Sequence, residues 1–333
     1  MSNEYPSGRI LSGDKKEIEA AILRFKDQPA DETIINNGPY PFSLKRTTLA
    51  GSASATGPGT FFGKMQRTLT FSAAAVPGWW IRRTDQKEQL DTEVSVRNVW
   101  TTARNIVLRS GSAHNYLRMV EHIIALKTGL GLDDVIISTD NGDPPLFNRG
   151  NLDLVEAVER AKIIEKDEPA KFVTVREPVT LSAGRGDFLT YIPAEPGNPG
   201  LRVDCAVDFP SVIGKQRIIF DVTPDTFRIG AGARTNAPFK DYLFAKTAGK
   251  FIADTRNLGY TRDNILIHGK KKYFSEPKII RNGKSLEAVW HRATLDLLAA
   301  VSLIDRGRFA GTIVSYRSGH TQVCGSELRH SHA

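Results

Sequence analysis

Cysteine is scarce in this chain, which contains only Cys205 and Cys324 among 333 residues, and neither lies in a C-x-x-C pair. Two cysteines cannot make a disulfide framework. Without cysteine pairs, any metal site must use histidine and carboxylate ligands, and seven histidines are present to supply them.

Long apolar runs are also missing. No stretch approaches the roughly 20 apolar residues that a membrane-spanning helix needs, and the opening residues, MSNEYPSGRILSG, lack a basic region followed by an apolar run. The balance of 40% hydrophobic and 25% charged residues is typical of a folded globular protein and excludes a disordered chain. We therefore expect a cytoplasmic protein that is long enough for two domains.

Positive charge is in excess, with a formal net charge of +8. This excess favours an acidic partner such as a phosphate-bearing substrate, an anionic membrane surface or nucleic acid. The densest basic run, His268–Lys272, follows the strand-like segment NILI and is predicted to be a solvated hairpin loop. Because the chain shows no aromatic and basic pattern of a nucleic-acid module, nucleic acid is not expected. The sequence leaves the oligomeric state open.

Residues 1–43 are predicted to form an N-terminal extension. Ile18, Ile22 and Phe25 recur at helical spacing, and Pro29 stops the pattern, which indicates one amphipathic helix. We expect this extension to act as a packing or interface arm in front of two domains.

A first α+β domain is predicted over residues 44–165. Three strand patterns, LKRTTLAGSASATG, MQRTLTFSAAAV and GWWIRRTD, precede a helix that begins near Asn115. A short strand, Val135–Ser138, and a helix across residues 152–164 complete the domain. The charged segment EKDEPA that follows is interpreted as a linker.

A second α+β domain is predicted over residues 166–328, with a tail at residues 329–333. Four strand patterns are followed by helices at residues 239–256 and 285–304 and by a last strand, GTIVSYRSGH. In both domains strands come before helices without regular alternation. This order favours mostly antiparallel sheets packed against helices over a doubly wound parallel sheet.

The segment from Leu117 to Val135 has one of the most apolar helical patterns of the chain, and two ionisable residues, Glu121 and His122, interrupt it. Asn115 can cap this helix, and two glycines can end it. Burying a carboxylate and an imidazole costs several kcal/mol unless each finds a charge, a hydrogen bond or a metal. Either the pair lies on the thin polar edge of the helix, or it has a partner elsewhere in the chain.

Taken in order, these segments resemble the zinc-dependent UDP-3-O-acyl-N-acetylglucosamine deacetylases of lipid A biosynthesis, over residues 44–328. Each motif is weak alone, but five occur in the family's order. They are Arg82-Arg83-Thr84-Asp85 for R-R-T-D, Val120-Glu121-His122 with Gly129–Val135 for V-E-H and G-L-G-I-D-N-V, Ala233-Arg234-Thr235 for A-R-T, Trp290-His291-Arg292 for R-H-K, and Tyr316–His320 for Y-K-S-G-H.

The resemblance implies a two-domain α+β fold with the active site between the domains. It also implies a hydrolase that removes acetate from an N-acetylated, nucleotide-linked amino sugar with a zinc ion as cofactor. The implied zinc ligands are His122, His291 and a carboxylate one helical turn after His291, for which Asp296 is the candidate. Zinc with three protein ligands keeps one position for a water molecule and lowers its pKa to about 7.

The resemblance also implies roles for four other side chains. Glu121 would be the general base that takes the proton of the water molecule. Thr235 would donate its hydroxyl to the developing oxyanion, and His320 would either protonate the leaving amine or stabilise the charge of the intermediate. Arg292 would keep the positive charge of the family's lysine for binding the substrate.

The chain departs from the family pattern around His291. The family's carboxylate ligand stands at i+4, where this chain has Leu295, whereas Asp296 at i+5 is about 140° around an ideal helix from His291. A one-residue π-bulge in HRATLD would restore the phase. The family's second aspartate, which orients the catalytic histidine, is matched here by Ala299 and Ala300, so His320 would be less basic and less well fixed.

Two further departures lie outside that helix. Phe61 stands where the family has a histidine, and Asn236 replaces an aromatic residue after A-R-T. The sequence therefore supports two main hypotheses: an active zinc amide hydrolase, and a non-catalytic homologue that keeps the fold and binds a ligand or a protein partner. A third hypothesis keeps metal-assisted hydrolysis but changes the bond that is cleaved.

Overall fold

The computed structural model describes residues 8–63, 65–251 and 257–319. The strands, in chain order, are β1 (Arg9–Ser12), β2 (Glu32–Ile34), β3 (Lys45–Leu49), β4 (Ala53–Pro58), β5 (Gln66–Ala73), β6 (Trp79–Arg83), β7 (Thr92–Glu93), β8 (Val99–Thr101), β9 (Val107–Arg109), β10 (Tyr116–Leu117), β11 (Val135–Thr139), β12 (Ile163–Pro169), β13 (Phe172–Val173), β14 (Val179–Leu181), β15 (Phe188–Pro193), β16 (Leu201–Phe209), β17 (Gly214–Asp221), β18 (Asn236–Pro238), β19 (Leu266–His268), β20 (Ile280–Arg281), β21 (Lys284–Ser285), β22 (Arg308–Phe309) and β23 (Gly311–Tyr316). The helices are α1 (Lys15–Lys26), α2 (Glu121–Gly129), α3 (Leu152–Ala161), α4 (Pro224–Ala231), α5 (Phe239–Lys246), α6 (Glu287–His291) and α7 (Leu298–Ser302), with a π-helix, Arg292–Leu297, between the last two.

Two large sheets organise the fold. A five-stranded sheet has the order β4-β5-β11-β6-β7, and a seven-stranded sheet has the order β1-β14-β15-β23-β16-β17-β2. In the first sheet only β11 and β6 run parallel, whereas the second mixes both directions. Antiparallel pairings predominate over the described strands together, so the predicted α+β class is confirmed.

Helices lie between the two sheets and share one apolar core with both. Helix α3 contacts β4 and β5, α2 contacts α7 and the π-helix, and α6 contacts β16 and β17. Leu69 of the first sheet, Ile124 of α2, Leu298 of α7 and Val203 of the second sheet belong to the same buried cluster. This packing brings α2 face to face with the segment formed by α6, the π-helix and α7.

The N-terminal extension packs on the second sheet. Strand β1 pairs with β14 and β2 pairs with β17, so the extension contributes both outer strands. The predicted amphipathic helix is confirmed as α1, which Asp14 caps by accepting a hydrogen bond from the backbone N–H of Glu17. Phe25 of α1 packs edge-on against Phe188, with ring centroids 5.4 Å apart. The extension is therefore an arm that folds back on its own chain.

Several sequence-based boundaries were wrong, and the helix predicted over residues 239–256 ends at Lys246. Helix α2 begins at Glu121 rather than near Asn115, because Tyr116–Leu117 pair with β9 and the Asn115 amide donates to the carbonyl oxygen of Leu90 at 2.9 Å. The helix predicted across residues 152–164 ends at Ala161. The segment interpreted as a linker lies in the exposed strand β12, which pairs with β3.

The basic run has the predicted hairpin geometry. The backbone N–H of Gly269 donates to the carbonyl oxygen of Lys272 at 2.9 Å, and Lys270, Lys271 and Lys272 are exposed. His268, in contrast, is buried at the end of β19. Among the helices that the structure describes, none combines the length and the apolar composition required to cross a bilayer.

Candidate active site

The side chains of His122 and His291 meet where α2 faces α6. Their ring centroids are 5.3 Å apart at an interplanar angle of 59°. The hydroxyl of Thr235 lies 3.3 Å from Nε2 of His122 and 3.0 Å from Nε2 of His291. Two imidazole nitrogens from different halves of the chain therefore converge on one oxygen atom.

Asn151 fixes the tautomer of His122. The Asn151 side-chain amide donates to the backbone carbonyl oxygen of His122, so its Oδ1 faces Nδ1 of the imidazole, 3.1 Å away. An amide oxygen only accepts hydrogen bonds, so Nδ1 of His122 must carry the proton. In the neutral imidazole, Nε2 then carries no proton and presents its lone pair to Thr235. This arrangement, with the second ring nitrogen held by an outer hydrogen bond, is the one that metal-binding histidines normally have.

The backbone around Asn151 is held tightly. Its N–H donates to the carbonyl oxygen of Ala231 at 2.6 Å. The preceding Gly150 has a φ of +65°, and a Cβ at this position would lie 2.5 Å from the same carbonyl oxygen. Only glycine satisfies both constraints. Asn151 stands at the N-cap position of α3 but makes no side-chain cap bond there, because its amide is used by His122.

Glu121 is buried beside the imidazole pair. Its side chain is 3% exposed, and its Oε2 accepts a hydrogen bond of 2.8 Å from the backbone N–H of Ile106. This hydrogen bond fixes the orientation of the carboxylate. Glu121 therefore does not lie on a solvated edge of the helix, and it has the partner elsewhere in the chain that the sequence required.

Residues before α2 adopt a strained backbone conformation. Met119 has a φ of +49°, an uncommon value for a residue other than glycine. Its N–H donates to Oδ1 of Asn105 at 3.3 Å. Such conformations cost about 1–3 kcal/mol and persist only where the surroundings fix them. This turn sets the direction from which α2 presents Glu121 and His122.

Thr235 is anchored by a buried ion pair. Arg234 Nε lies 2.6 Å from Oε1 of Glu287, and both side chains are almost fully buried. The same carboxylate accepts the backbone N–H groups of Arg234, at 3.0 Å, and of Lys278, at 2.7 Å. Glu287 stands one helical turn before His291 on α6. The ion pair between Arg234 and Glu287 therefore connects the segment that contains Thr235, just before β18, to the helix that carries the second histidine.

Arg292–Leu297 form a π-helix, the kind of insertion that the sequence required for Asp296 to face the same side as His291. It brings Oδ2 of Asp296 to 3.8 Å from Nδ1 of His291 and to 2.8 Å from Nη1 of Arg292. Asp296 is therefore buried next to His291 and is not an exposed surface aspartate. However, its carboxylate approaches the Nδ1 edge of the ring, whereas Nε2 is the atom that faces Thr235 and His122.

Of the three predicted zinc ligands, His122 and His291 are arranged as a zinc site requires, whereas Asp296 is not. Within the described residues, no group of three or more His, Cys, Asp and Glu side chains is arranged to hold a metal ion. The paired Nε2 atoms and the tautomer of His122 match a two-histidine site. Asp296 would complete the set only after leaving Arg292. Cys205 is no substitute, because burial raises the pKa of its thiol to about 12 and a thiol binds metal as the thiolate.

The remaining sequence candidates are placed as follows. His320 lies outside the described residues. Ala299 and Ala300 are completely buried in α7, so no polar side chain is available there to orient His320. Phe61 is buried under the guanidinium of Arg118, whose Cζ lies 3.9 Å from the ring centroid. Asn236 lies in β18, opposite Leu266 of β19.

A model of the family described as UDP-3-O-acyl N-acetylglycosamine deacetylase matches residues 46–324. The chain belongs to this deacetylase family. Its relatives include the UDP-3-O-acyl-N-acetylglucosamine deacetylases of Brucella ovis, Brucella abortus and Brucella melitensis, each 25% identical over 280 residues, which cover 82% of this chain and 90% of theirs. The resemblance seen in the motifs is confirmed, and the low identity marks a divergent member.

Sequence reasoning missed two parts of this deacetylase-family site. The first is Asn151, for which the only signal was a polar residue at the start of a helix, a pattern that predicts a cap rather than a histidine partner. The second is the pair formed by Arg234 and Glu287, which are 53 residues apart. A buried ion pair between distant residues leaves no local pattern in a single sequence.

Proposed function

We propose that this protein is a zinc-dependent amide hydrolase that removes acetate from an N-acetylated amino sugar linked to a nucleotide. Its relatives are named as deacetylases of UDP-3-O-acyl-N-acetylglucosamine, which supports the reaction and the substrate class. The observation that carries this proposal is the convergence of His122 and His291 on one point beside Glu121. Glu121 and His122 come from one family motif and His291 from another that is distant in sequence, and the two imidazoles meet at the Thr235 hydroxyl.

His122 and His291 are the proposed zinc ligands, with Asp296 as the third. Zinc bound there would supply a Lewis acid and a water molecule whose pKa is lowered to about 7. The hydrogen bond between Asn151 and His122 keeps Nε2 ready to coordinate, since no proton has to be displaced from it.

Glu121 is the proposed general base. It stands next to a ligand in sequence, and the hydrogen bond from the Ile106 N–H fixes the orientation of its carboxylate. It accepts a proton from the attacking water as the oxygen–carbon bond to the acetyl group forms. The Thr235 hydroxyl, which lies 3.0 Å from His291 Nε2, donates to the oxygen that becomes negative.

His320 is the proposed acid, on the strength of its place in the Y-K-S-G-H-like motif. It gives a proton to the nitrogen as the carbon–nitrogen bond breaks, so that the products are acetate and the free amine. Arg292 is proposed to bind the substrate through its positive charge. Its contact with Asp296 neutralises part of that charge, which distinguishes it from an isolated lysine.

Acetate release from UDP-3-O-acyl-N-acetylglucosamine tests the proposal directly. We expect purified protein to lose activity when zinc is chelated and to regain it when zinc is restored. Thr235→Val should lower kcat by about 100-fold, the size of effect that loss of one oxyanion donor has, while Thr235→Ser should retain most of the activity. Absence of acetate release by zinc-loaded protein would favour the non-catalytic hypothesis.

A further inference from the structure

Three large apolar side chains are exposed around α5. Leu243 and Phe244 of this helix are 50% and 44% exposed, and Phe251, at the end of the 3-10 turn that follows, is 78% exposed. Phe251 is the most exposed large apolar residue in the part of the chain that the structure describes. None of the three belongs to the buried clusters of the described residues. Exposed apolar side chains that are grouped in this way mark an interaction surface.

The same region carries most of the excess positive charge. Residues 239–251 and 269–274 together contain six lysines and one aspartate, a net charge of +5 out of the +8 of the whole chain. Four of these lysines, Lys240, Lys270, Lys271 and Lys272, are exposed. The lysine ion pairs among the described residues all lie elsewhere, so no described acidic side chain neutralises these four.

An aromatic stack holds α5 against the lysine-rich hairpin. Phe239, the first residue of α5, stacks on Phe274 with ring centroids 4.1 Å apart and an interplanar angle of 17°. Nζ of Lys272 lies 5.1 Å from the centroid of the same Phe274 ring. Pro238 of β18 is opposite His268 of β19, so α5 and the hairpin leave the same end of one strand pair. The apolar and the basic groups therefore form one surface.

Helical spacing mixes the two kinds of side chain on α5. Leu243 stands one turn after Phe239, on the side of the helix that contacts the hairpin, and Phe244 stands one turn after Lys240. The helix buries Ala245 instead of these residues. We define the α5 surface by its exposed apolar and basic members, which are Leu243, Phe244, Phe251, Lys240, Lys270, Lys271 and Lys272.

An anionic bilayer fits both features of the α5 surface. Apolar side chains on a short surface helix enter the boundary between lipid headgroups and acyl chains, and the lysines around them attract anionic headgroups. A second copy of this chain fits less well. A twofold interface would bring the lysines of one copy towards those of the other, and these like charges repel each other.

The α5 surface is close to the reaction centre along the chain. Thr235 directly precedes β18, and α5 directly follows it. The carbonyl oxygen of Thr235 accepts the N–H of Leu266 in β19 at 2.9 Å, so one strand pair supports both Thr235 and the α5 surface. Docking through this surface would hold the reaction centre beside a membrane, in which an acylated substrate partitions.

We propose that the α5 surface docks this protein on an anionic membrane surface. The three apolar side chains enter the headgroup boundary, and the four lysines contact the lipid phosphates. The docking does not rest on the proposed function, which supplies only a reason for it.

Sedimentation with vesicles measures this docking. We expect the wild type to bind vesicles of phosphatidylglycerol and phosphatidylcholine, to bind far less to phosphatidylcholine alone, and to be released as the salt concentration rises. The double variant Leu243→Gln with Phe251→Gln should weaken binding by about tenfold or more, because two apolar side chains no longer leave water. Lys270→Gln with Lys271→Gln should also weaken it by about tenfold.

Helix α1 offers matched controls. Leu23 is 64% exposed there, and Lys15 and Lys16 are neighbouring exposed lysines. Leu23→Gln, and Lys15→Gln with Lys16→Gln, remove the same kinds of side chain from another surface and should bind vesicles like the wild type. Melting temperatures confirm that each variant is folded.

A wild type that stays in solution with anionic vesicles would overturn the proposal. Unchanged binding in both α5-surface variants would do so too, and so would equal losses in the α1 controls. A dimer that Leu243→Gln with Phe251→Gln abolishes would assign the surface to a second copy and overturn it as well. Vesicle binding by a protein that releases no acetate would support the docking and count against the deacetylase function alone.

Discussion

The position of one proton on His122 decides whether this residue can bind a metal. The Asn151 side chain contacts this histidine through both its NH₂ group and its Oδ1 atom, and the Oδ1 contact requires a proton on Nδ1. The sequence identified His122 but not its partner. The motif V-E-H specifies a histidine, whereas the atom that coordinates is set by a residue 29 positions later.

Glu121→Gln tests the general base. The substitution keeps the size of the side chain and removes the ability to accept a proton, so we expect kcat to fall by about 10²–10⁴-fold. Zinc content should stay that of the wild type, because Glu121 is not a proposed ligand. Steady-state acetate release at matched zinc occupancy measures this change, and a rate within about threefold of the wild type would rule out the proposed role.

His268 gives a prediction about pH. Burial lowers the pKa of His268, while a backbone contact with Gly269 and the charge of Asp241 act in the opposite direction with smaller effect. The unfolded state therefore takes up a proton near pH 6.5 before the folded state does. We expect the free energy of unfolding to fall as the pH drops below about 7, with a slope of at most about 1.4 kcal/mol per pH unit from this residue.

His268→Phe and His268→Asn should both flatten this dependence, since neither side chain titrates. Urea denaturation between pH 5.5 and 7.5 measures the slope. An unchanged slope in both variants would assign the acid sensitivity to other groups.

At the scale of elements, the segment from α6 to α7 is the most informative. The motifs around His291 required a π-bulge to bring Asp296 back to the metal side, and the π-helix is present. The bulge alone does not turn the carboxylate to the Nε2 atoms, because Arg292 holds it at 2.8 Å. The sequence could predict the insertion, which is a matter of spacing, but not the competing ion pair.

Two substitutions distinguish the roles of Asp296. If it is the third ligand, Asp296→Asn should weaken zinc binding by about tenfold or more. Arg292→Gln should tighten it, because one positive charge is removed and the carboxylate is released. Competition with a chelator measures both affinities, and zinc binding in Asp296→Asn equal to the wild type would exclude Asp296 from the metal site.

Other elements show where local signals sufficed and where they did not. Helix α1 followed its apolar spacing, and β16 and β17 followed their strand patterns. Helix α4 was missed, although Thr223 forms a capping box with Thr226 and Pro224 occupies the first turn. The start of α2 was misplaced because the side-chain amide of Asn115 donates to the carbonyl oxygen of Leu90 instead of capping a helix. A single sequence does not show that a polar side chain bonds to a distant segment.

Glu287→Gln tests the ion pair that connects two of these elements. Removing one charge from a buried pair leaves the other uncompensated, so we expect a loss of about 3–5 kcal/mol in the free energy of unfolding. Urea denaturation measures it. Lys284→Gln, which breaks an exposed pair with Asp31 of 2.6 Å, is the matched control and should cost less than about 1 kcal/mol. Equal losses in the two variants would contradict the structural role assigned to Glu287.

At the scale of the whole molecule, the site exists only because two sheets close over one set of helices. His122 comes from α2, which is followed in sequence by β11 of the five-stranded sheet, and His291 comes from α6, which packs on the seven-stranded sheet. Because both helices pack in one shared core, the fold itself fixes the distance between His122 and His291. The α+β class followed from the order of the sequence patterns, but the single core and the return of the N-terminal extension to the second sheet did not.

The zinc content of three proteins tests the central claim most directly. Mass spectrometry of the metal bound to the wild type, His122→Ala and His291→Ala, with melting temperatures to confirm folding, compares ligands from the two halves of the chain. The account predicts one zinc ion per wild-type chain and a loss of stoichiometric zinc in each single variant. A wild type without zinc, or a full zinc ion retained in either variant, would contradict it.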